Sequence, residues 1–338
     1  MSDGGVTIGY DFSLAILSIF LVILVIVLII LCRRRRRRKA VVEHREYLQV
    51  KLSAIPCPLV DVHATTDGFN PRRIIGKGRL GTVYIAIKPN GDVVAVKRIN
   101  SGYVLSNAGF GFSSIMKSLS LAHHPNIVPI IGFSEAPGER IIMMEFMGMK
   151  SLEFYLHQNS IDCSPLLLDW KRRLQIAAGV ARGIEYLHER MNPSIIHGCI
   201  KPSNILLDVN FCARICDYGL TFLAPQERRG LIGYADKEYW NEKKCICKAS
   251  DVYGFGVVLL ELLSGRMCQD GLLVEWALPL IRNMRIVDVL DSRLLVPFDI
   301  KPLIRLAKVA SACVSNSRQH RPSIVQVTAI LNSLEMEF

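Results

Sequence analysis

The chain has 338 residues, of which 50% are hydrophobic and 21% are charged, and its formal net charge is +11. This composition excludes disorder throughout and is sufficient for one large domain, or two smaller ones, with a buried core. A basic run that begins at Arg33 and ends at Lys39 supplies seven of the positive charges and leaves +4 for the rest, so the net charge does not indicate nucleic-acid binding.

Residues 12–32 form an apolar run without charge or proline. At about 1.5 Å per residue, a helix of this length matches the hydrocarbon layer of a bilayer, which is about 30 Å thick. A signal peptide would have basic residues before the run, but Asp3 and Asp11 precede it. Basic residues beside a span stay in the cytoplasm, so we expect residues 1–11 outside, one transmembrane helix at 12–32, and the rest inside. The outer segment is too short for a folded ectodomain.

The basic run follows this span directly. It would attract anionic lipid headgroups by roughly 1 kcal/mol per residue, although it would serve equally well as an orientation signal alone. Residues 33–69 are typical of a basic juxtamembrane linker, with prolines near its middle. Cys32 lies where acylation occurs, but a single cysteine is a weak signal for it.

The pattern after the linker changes from strands to helices. Residues 82–87 and 93–99 are rich in alternating β-branched residues, and the Pro-Asn-Gly-Asp turn between them predicts an antiparallel hairpin. Ser250 is predicted to cap one of the helices that follow. These helices are predicted at residues 169–190, 252–263, 302–314 and 322–334. The fold class is therefore α+β, with a small β-rich lobe before a larger helical lobe.

A glycine-rich loop lies at residues 76–83, with the sequence Gly-Lys-Gly-Arg-Leu-Gly-Thr-Val. Glycines let the backbone fold closely over phosphates and present its amides to them. The spacing alone is weak evidence, because dinucleotide-binding folds use it before a helix. Here a strand follows, and Val-Ala-Val-Lys, ending at Lys97, comes on the next strand. This combination resembles the phosphate loop and the phosphate-binding lysine of protein kinases.

Two more motifs extend the resemblance. Residues 195–208, Ile-Ile-His-Gly-Cys-Ile-Lys-Pro-Ser-Asn-Ile-Leu-Leu-Asp, resemble the kinase catalytic loop, and Asp-Tyr-Gly at 217–219 resembles the metal-binding Asp-Phe-Gly. Connecting stretches such as Ala-Thr-Thr-Asp-Gly-Phe at 64–69 are similar to plant receptor-like kinases of the interleukin-receptor-associated-kinase and Pelle type. The resemblance covers residues 70–335 and implies the bilobal protein kinase fold.

The resemblance also implies roles for individual residues. The residues that would contact ATP are Gly76, Gly78, Gly81, Val83, Ala95, Lys97, Glu145 and Met147. Asn204 and Asp217 would bind magnesium. Lys201 and Cys199 occupy catalytic positions, and Cys199 stands where the family has its catalytic aspartate.

Three departures argue against efficient catalysis. Cys199 is mostly a neutral thiol at pH 7, whereas the aspartate accepts or orients the substrate proton, a contribution of about 10² to 10⁴ in rate. Ile115 replaces the helix glutamate that pairs with Lys97, and no acidic residue lies nearby in the sequence, although Asp217 could hold the lysine. Leu231 replaces the threonine that contacts the catalytic aspartate in the family.

The residues that support the fold are retained. Glu238 and Arg321 match the buried ion pair of the family, and Asp251 matches the aspartate that braces the catalytic loop. We therefore expect a receptor-like pseudokinase at the plasma membrane, a signalling scaffold or regulator that contacts other receptor-like kinases or cytoplasmic signalling proteins. The alternative is a weakly active Ser/Thr kinase, because the residues for ATP and magnesium remain.

Overall fold

The computed structural model describes residues 53–106, 111–157, 168–224, 231–241, 245–269 and 271–337. The predicted span at residues 12–32 and the basic run after it lie outside these residues. Within the described ranges, no helix is long and apolar enough to cross a membrane. A compact unit begins at Ala54 and contains the β-rich lobe and the helical lobe.

The first lobe is built on a mixed sheet. Its strands are β1 (Ile55–Pro56), β2 (Ile74–Lys77), β3 (Gly81–Ile87), β4 (Val93–Ile99), β5 (Ile130–Ala136) and β6 (Glu139–Glu145). In spatial order they run β1-β5-β6-β4-β3-β2, with β1 and β5 parallel and the other neighbours antiparallel. Its helices are α1 (Leu59–Thr65), α2 (Ser101–Ser106) and α3 (Phe112–Leu119). The predicted hairpin is confirmed as β3 and β4.

The side-chain alternation of β4 separates the two faces of this sheet. Ala95 is buried with the main core on the side of the helical lobe, whereas Val94 and Val96 belong to a smaller core on the other face. Because alternate residues of a strand point to opposite faces, Lys97 shares the face of Ala95. The strand pairing sets Lys97 opposite Val83 of β3. The strand period therefore directs the lysine toward the cleft between the lobes.

Residues 54–69, which the sequence analysis assigned to the juxtamembrane linker, are folded against the sheet. The backbone amide of Cys57 donates to the carbonyl of Phe133 at 2.7 Å, beside the parallel pairing of β1 with β5. Val62 on α1 and Phe69 are buried on the outer face of the sheet. The folded domain therefore includes the second half of the predicted linker.

The second lobe is mainly helical. Its helices are α4 (Leu152–His157), α5 (Trp170–Glu185), α6 (Lys237–Asn241), α7 (Lys248–Ser264), α8 (Leu272–Arg282), α9 (Lys301–Cys313) and α10 (Ile324–Glu337). A short hairpin of β7 (Ile205–Leu207) and β8 (Ala213–Ile215) lies between α5 and α6 in the chain. The four predicted helices correspond to α5, α7, α9 and α10, and α5 continues into a π-helical turn at Tyr186–Arg190.

Helix α7 is the centre of this lobe, since 14 of its 17 residues are buried. The prediction that Ser250 caps this helix is wrong. The helix begins at Lys248, and Cys247 is its N-cap. Ser250 instead accepts the backbone amide of Cys247 at 3.2 Å, as the third residue of a capping box.

A buried ion pair joins α5 to the chain after α8. Arg173 donates to the carboxylate of Asp291 at 2.6 Å, and both side chains are 2% exposed. The remaining Arg173 donors bond to backbone carbonyls, one of them that of Leu262 at 2.7 Å. Burial alone would raise the pKa of Asp291, but hydrogen bonds from Arg293 and Arg173 outweigh burial and lower the pKa to about 2.

We predict that Asp291→Asn lowers the free energy of unfolding by about 3 to 5 kcal/mol at pH 7, because it leaves the Arg173 charge buried without its counter-ion. The ordinary pKa of this carboxyl is 3.8. Its stabilisation is therefore complete above that pH and is lost as the pH falls toward 2, so the deficit of the variant should shrink on acidification. Urea denaturation of a fragment that starts before Ala54 measures both effects.

The control is Asp288→Asn, which breaks an exposed pair with Arg285 whose side chains are 47% and 64% exposed. This substitution should cost no more than about 1 kcal/mol. A similar cost for the two variants at pH 7 would contradict the role given to Asp291.

Candidate functional site

A cleft of about 700 Å³ lies between the two lobes. It brings together every residue that the sequence analysis assigned to the site. These are Gly76, Gly78, Gly81, Val83, Ala95, Lys97, Glu145, Met147, Cys199, Lys201, Asn204 and Asp217. Their roles toward a ligand stay predictions, but their placement in one cavity shows that the motifs of the two lobes face each other.

The glycine-rich loop forms the roof of the cleft. The backbone amides of Gly78 and Gly81 donate to each other's carbonyls at 2.9 and 3.3 Å, which closes the turn between β2 and β3. A Cβ atom on Gly81 would lie 2.0 Å from the carbonyl oxygen of Arg98, so only glycine fits there. Asn100 holds the tip of the loop with two hydrogen bonds. Its backbone amide donates to the carbonyl of Leu80, and its side-chain amide donates to the carbonyl of Arg79.

Lys97 is paired with Asp217 across the cleft. The lysine ammonium contacts the aspartate carboxylate, and their side chains are 6% and 15% exposed. Ile115 on α3 packs as a partly buried apolar residue against the core, where the family has its glutamate. The expectation that Asp217 holds Lys97 is confirmed by this contact.

Asp251 on α7 braces the catalytic loop, as predicted. Its carboxylate accepts the backbone amides of His197 at 2.8 Å and Gly198 at 2.7 Å, and lies 2.8 Å from Nε2 of His188. Further along the loop, the Asn204 side chain donates to the carbonyl of Cys199 at 2.9 Å. The backbone around the catalytic position is therefore held in place although the catalytic side chain has changed.

Cys199 lies in an apolar cluster. It is 7% exposed, and it packs with Leu231 at 4% and Tyr239 at 9%. Burial raises the pKa of the Cys199 thiol, and the positive charges of Lys201 and Arg79 oppose that shift. The thiol is therefore neutral at physiological pH and supplies no base. The residues that replaced the aspartate and the threonine thus share one apolar cluster.

Gly198, which replaces the arginine of the family motif, has a left-handed backbone with φ of +80°. A Cβ atom there would lie 2.3 Å from Cγ2 of Thr221. An arginine at this position would strain the backbone and displace Thr221. No sequence pattern indicated this contact, which depends on how residues distant in the chain meet.

The buried ion pair predicted between Glu238 and Arg321 is formed with a different carboxylate. Arg321 donates to Asp236 at 2.8 Å, and the Asp236 carboxylate is fully buried. Glu238, the predicted partner, accepts the backbone amide of Arg318 at 2.8 Å. Burial alone would raise the pKa of Asp236, but hydrogen bonds from Arg318 and Arg321 outweigh the effect of burial, and the pKa is lowered. The prediction that Glu238 is the partner of Arg321 is therefore wrong. Arg321 pairs with Asp236, whose carboxylate also binds Arg318.

Cationic side chains line the cleft beside the two expected magnesium ligands. Lys97, Arg79 and Lys201 line it and are suited to bind phosphate oxygens. A magnesium ion would depend on Asn204 and Asp217, and Asp217 already contacts Lys97. In the described part of the chain, no group of three or more His, Cys, Asp or Glu side chains is placed to hold a metal.

Comparisons with known proteins agree with this architecture. Residues 69–331 match the family described as protein tyrosine and serine/threonine kinase, whose domains generally bind ATP with magnesium. The chain is 37% identical to the serine/threonine-protein kinase-like protein CCR2 of Arabidopsis thaliana, over 81% of this chain and 33% of that protein. It is 38% identical to a probable LRR receptor-like serine/threonine-protein kinase of Arabidopsis thaliana, over 80% of this chain and 30% of that protein. The chain thus spans about a third of the length of these relatives.

A solved structure is similar over most of the chain. It is the pseudokinase domain of BIR2, an immune regulator of the RLK/Pelle family. The TM-score is 0.71 and the sequence identity 32%, with 85% of this chain and 91% of the BIR2 chain covered.

A double-mutant cycle tests the pair of Lys97 and Asp217. Lys97→Met and Asp217→Asn should each lower the free energy of unfolding, because each leaves a largely buried charge without its partner. The double variant should lose less than the sum, with a coupling free energy of about 1 to 3 kcal/mol in urea denaturation.

The same cycle on the surface pair of Arg305 and Glu337 is the control, since their side chains are 43% and 39% exposed. Its coupling should be below about 1 kcal/mol. Additive losses at Lys97 and Asp217 would contradict the pairing.

Proposed function

The chain belongs to the protein tyrosine and serine/threonine kinase family, and from this premise we propose that it is a membrane-anchored receptor-like pseudokinase. It acts as a signalling scaffold or regulator through contacts with active receptor kinases, and its cleft does not transfer phosphate efficiently.

The observation that carries this proposal is the apolar cluster of Cys199, Leu231 and Tyr239. Phosphate transfer to a hydroxyl requires a group that orients the nucleophile, and a charged aspartate does this in kinases. Here a buried neutral thiol takes that place, and Leu231 supplies no hydroxyl beside it. The loss of a general base alone reduces rates by about 10² to 10⁴.

The position of Lys97 supports the same conclusion. In an active kinase, the lysine pairs with a glutamate of the helix in the small lobe, and this pair must be in place for transfer. Ile115 cannot form it, and the lysine contacts Asp217 instead. The lysine and the expected metal ligand thus neutralise each other, which weakens the electrostatic stabilisation of a transferring phosphate.

A scaffold requires a defined surface, and the support for that surface is retained. Asp251 holds the catalytic loop, and the buried pair of Arg321 and Asp236 fixes the chain before α6 to the helical lobe. A buried pair broken on one side costs about 3 to 5 kcal/mol, so both partners are needed for the fold rather than for chemistry. The similarity to the BIR2 pseudokinase domain, that of an immune regulator, supports a regulatory role.

The second candidate function is a weakly active Ser/Thr kinase. It is favoured by the presence of Lys97, Asn204 and Asp217 in one cleft. Phosphate transfer depends largely on positioning and electrostatics, so these residues could support slow turnover with bound ATP.

A phosphotransfer assay with labelled ATP and Mg²⁺ or Mn²⁺ separates the two candidates. The native chain should show no transfer above a Lys97→Ala control. Cys199→Asp should also stay at that level, because Ile115 and Leu231 remain. Transfer should appear only in the triple variant that combines Cys199→Asp with Ile115→Glu and Leu231→Thr. Transfer by the native chain that requires Lys97 would refute the pseudokinase proposal and establish the second candidate.

The proposal includes anchoring at the plasma membrane by the apolar residues 12–32, with the basic run from Arg33 to Lys39 bound to anionic headgroups.

The full chain should stay in the membrane pellet after alkaline carbonate extraction, and deletion of residues 12–32 should release it. Residues 33–338 should float with vesicles that contain phosphatidylserine but lose this binding when the basic run is changed to glutamine. Carbonate release of the full chain would refute the anchor, and flotation independent of the basic run would refute the lipid contact.

A further inference from the structure

Residues 295–298, which we call the apolar loop, carry the two most exposed large hydrophobic side chains in the described part of the chain. Phe298 is 109% exposed and Leu295 is 92% exposed, and Val296 between them is 48% exposed. The loop lies in irregular backbone between α8 and α9. A single exposed hydrophobic residue is ordinary on a protein surface, but a group of them so close together indicates a contact with another apolar surface.

The backbone of the apolar loop is held by the helical lobe. The indole N–H of Trp170 on α5 donates to the carbonyl of Leu295 at 2.9 Å. Just before the loop, the guanidinium of Arg293 donates to the carboxylate of Asp291 at 2.8 Å and to the carbonyl of Leu156 at 3.2 Å. The base of the loop is therefore fixed, although the side chains that it carries are uncovered.

The shape of the apolar loop favours a lipid surface as the contact. Side chains that are almost fully exposed project from the protein and do not line a groove. A protein partner would need a cavity that fits Leu295 and Phe298 together, whereas lipid acyl chains deform around any protruding apolar group. Leucine and phenylalanine are also the side chains that interfacial segments bury at the boundary between headgroups and acyl chains.

The charges around the apolar loop permit the approach to a bilayer but do not drive it. Residues 282–301 contain four cationic and three anionic side chains. Two of the cations, Arg285 and Arg293, are in ion pairs with Asp288 and Asp291. A contact made here would therefore depend on apolar side chains, and neither salt nor the charge of the headgroups should change it strongly.

The length of the connection to the predicted span keeps a bilayer within reach of the domain. Twenty residues, 33–52, separate this span from the first described residue, Ser53. Even fully extended, they cover no more than about 70 Å. A tether of this length gives the loop a high effective concentration at the bilayer, so a contact of a few side chains is sufficient.

We propose that the apolar loop is a second membrane contact, in which Leu295 and Phe298 insert between the acyl chains of the bilayer to which the chain is anchored. The contact orients the helical lobe toward the membrane. The inference rests on the proposed anchoring by residues 12–32, because the tether supplies the effective concentration.

Quenching of tryptophan fluorescence by brominated lipid tests the inference on the full chain in phosphatidylcholine vesicles. The emission that Phe298→Trp adds to that of the native chain should fall at least about twofold when the acyl chains carry bromine, because an inserted side chain reaches them. The quenching should persist at high salt. Adding Leu295→Ser to this variant should weaken the quenching, since the second inserted side chain is lost.

The matched control is Ile87→Trp, which changes a half-exposed residue at the end of β3 in the β-rich lobe. Its added emission should be equal in the two lipids, and the melting temperatures of the variants should match that of the native chain. Equal emission in the two lipids at position 298, or equal quenching at positions 87 and 298, would overturn the inference. An emission at position 298 that depends on protein concentration and not on bromine would also overturn it and indicate contact with a second copy.

The same preparation separates this inference from the proposed anchoring. If the chain resists carbonate extraction but the tryptophan at position 298 is not quenched, the loop contact is refuted and the anchor stands. Release of the chain by carbonate would refute the anchor itself.

Discussion

Asp251 forms the contacts on which the geometry of the site depends. Its carboxylate is buried in α7, and it accepts the backbone amides of His197 and Gly198. A buried carboxylate without such donors would be strongly destabilising, so the helix and the catalytic loop must keep this arrangement together. The same loop carries Cys199 and Asn204, and its position therefore sets the floor of the cleft. The backbone geometry of the site is therefore set by the core of the helical lobe and does not depend on the identity of the side chain at the catalytic position.

This separation explains how the chain keeps the architecture of a kinase while the side chains at several catalytic positions differ from those of the family. Cys199 and Leu231 belong to one buried apolar cluster, so the absence of the aspartate leaves no buried charge there without a partner. At the other side of the cleft, Lys97 has Asp217 as its counter-ion, so Ile115 can pack in the core without leaving a buried charge alone. Each of these replacements is thus accompanied by a local packing or pairing that stabilises the fold.

Much of this organisation could be predicted from sequence, because it depends on local patterns. The alternation in β4 directed Lys97 to the cleft, and the motif spacing brought all the expected residues into one cavity. The packing of residues 54–69 could not be predicted, since β1 has only two residues and is held by backbone bonds. Asp236 and Glu238 are two residues apart and both within reach of arginine, so sequence alone could not choose the partner of Arg321. The placement of Arg79 likewise depends on Asn100, far along the chain.

The most direct test of the account is the coupling between Cys199 and Leu231 in a double-mutant cycle on the free energy of unfolding. Cys199→Asp should cost about 1 to 3 kcal/mol, because it buries a carboxylate in the apolar cluster. Combined with Leu231→Thr, which restores a hydroxyl, it should cost less than the sum of the single variants by at least about 1 kcal/mol. Costs that add within about 0.5 kcal/mol would contradict the account, because Cys199 and Leu231 would then not have replaced the catalytic pair as one packed unit.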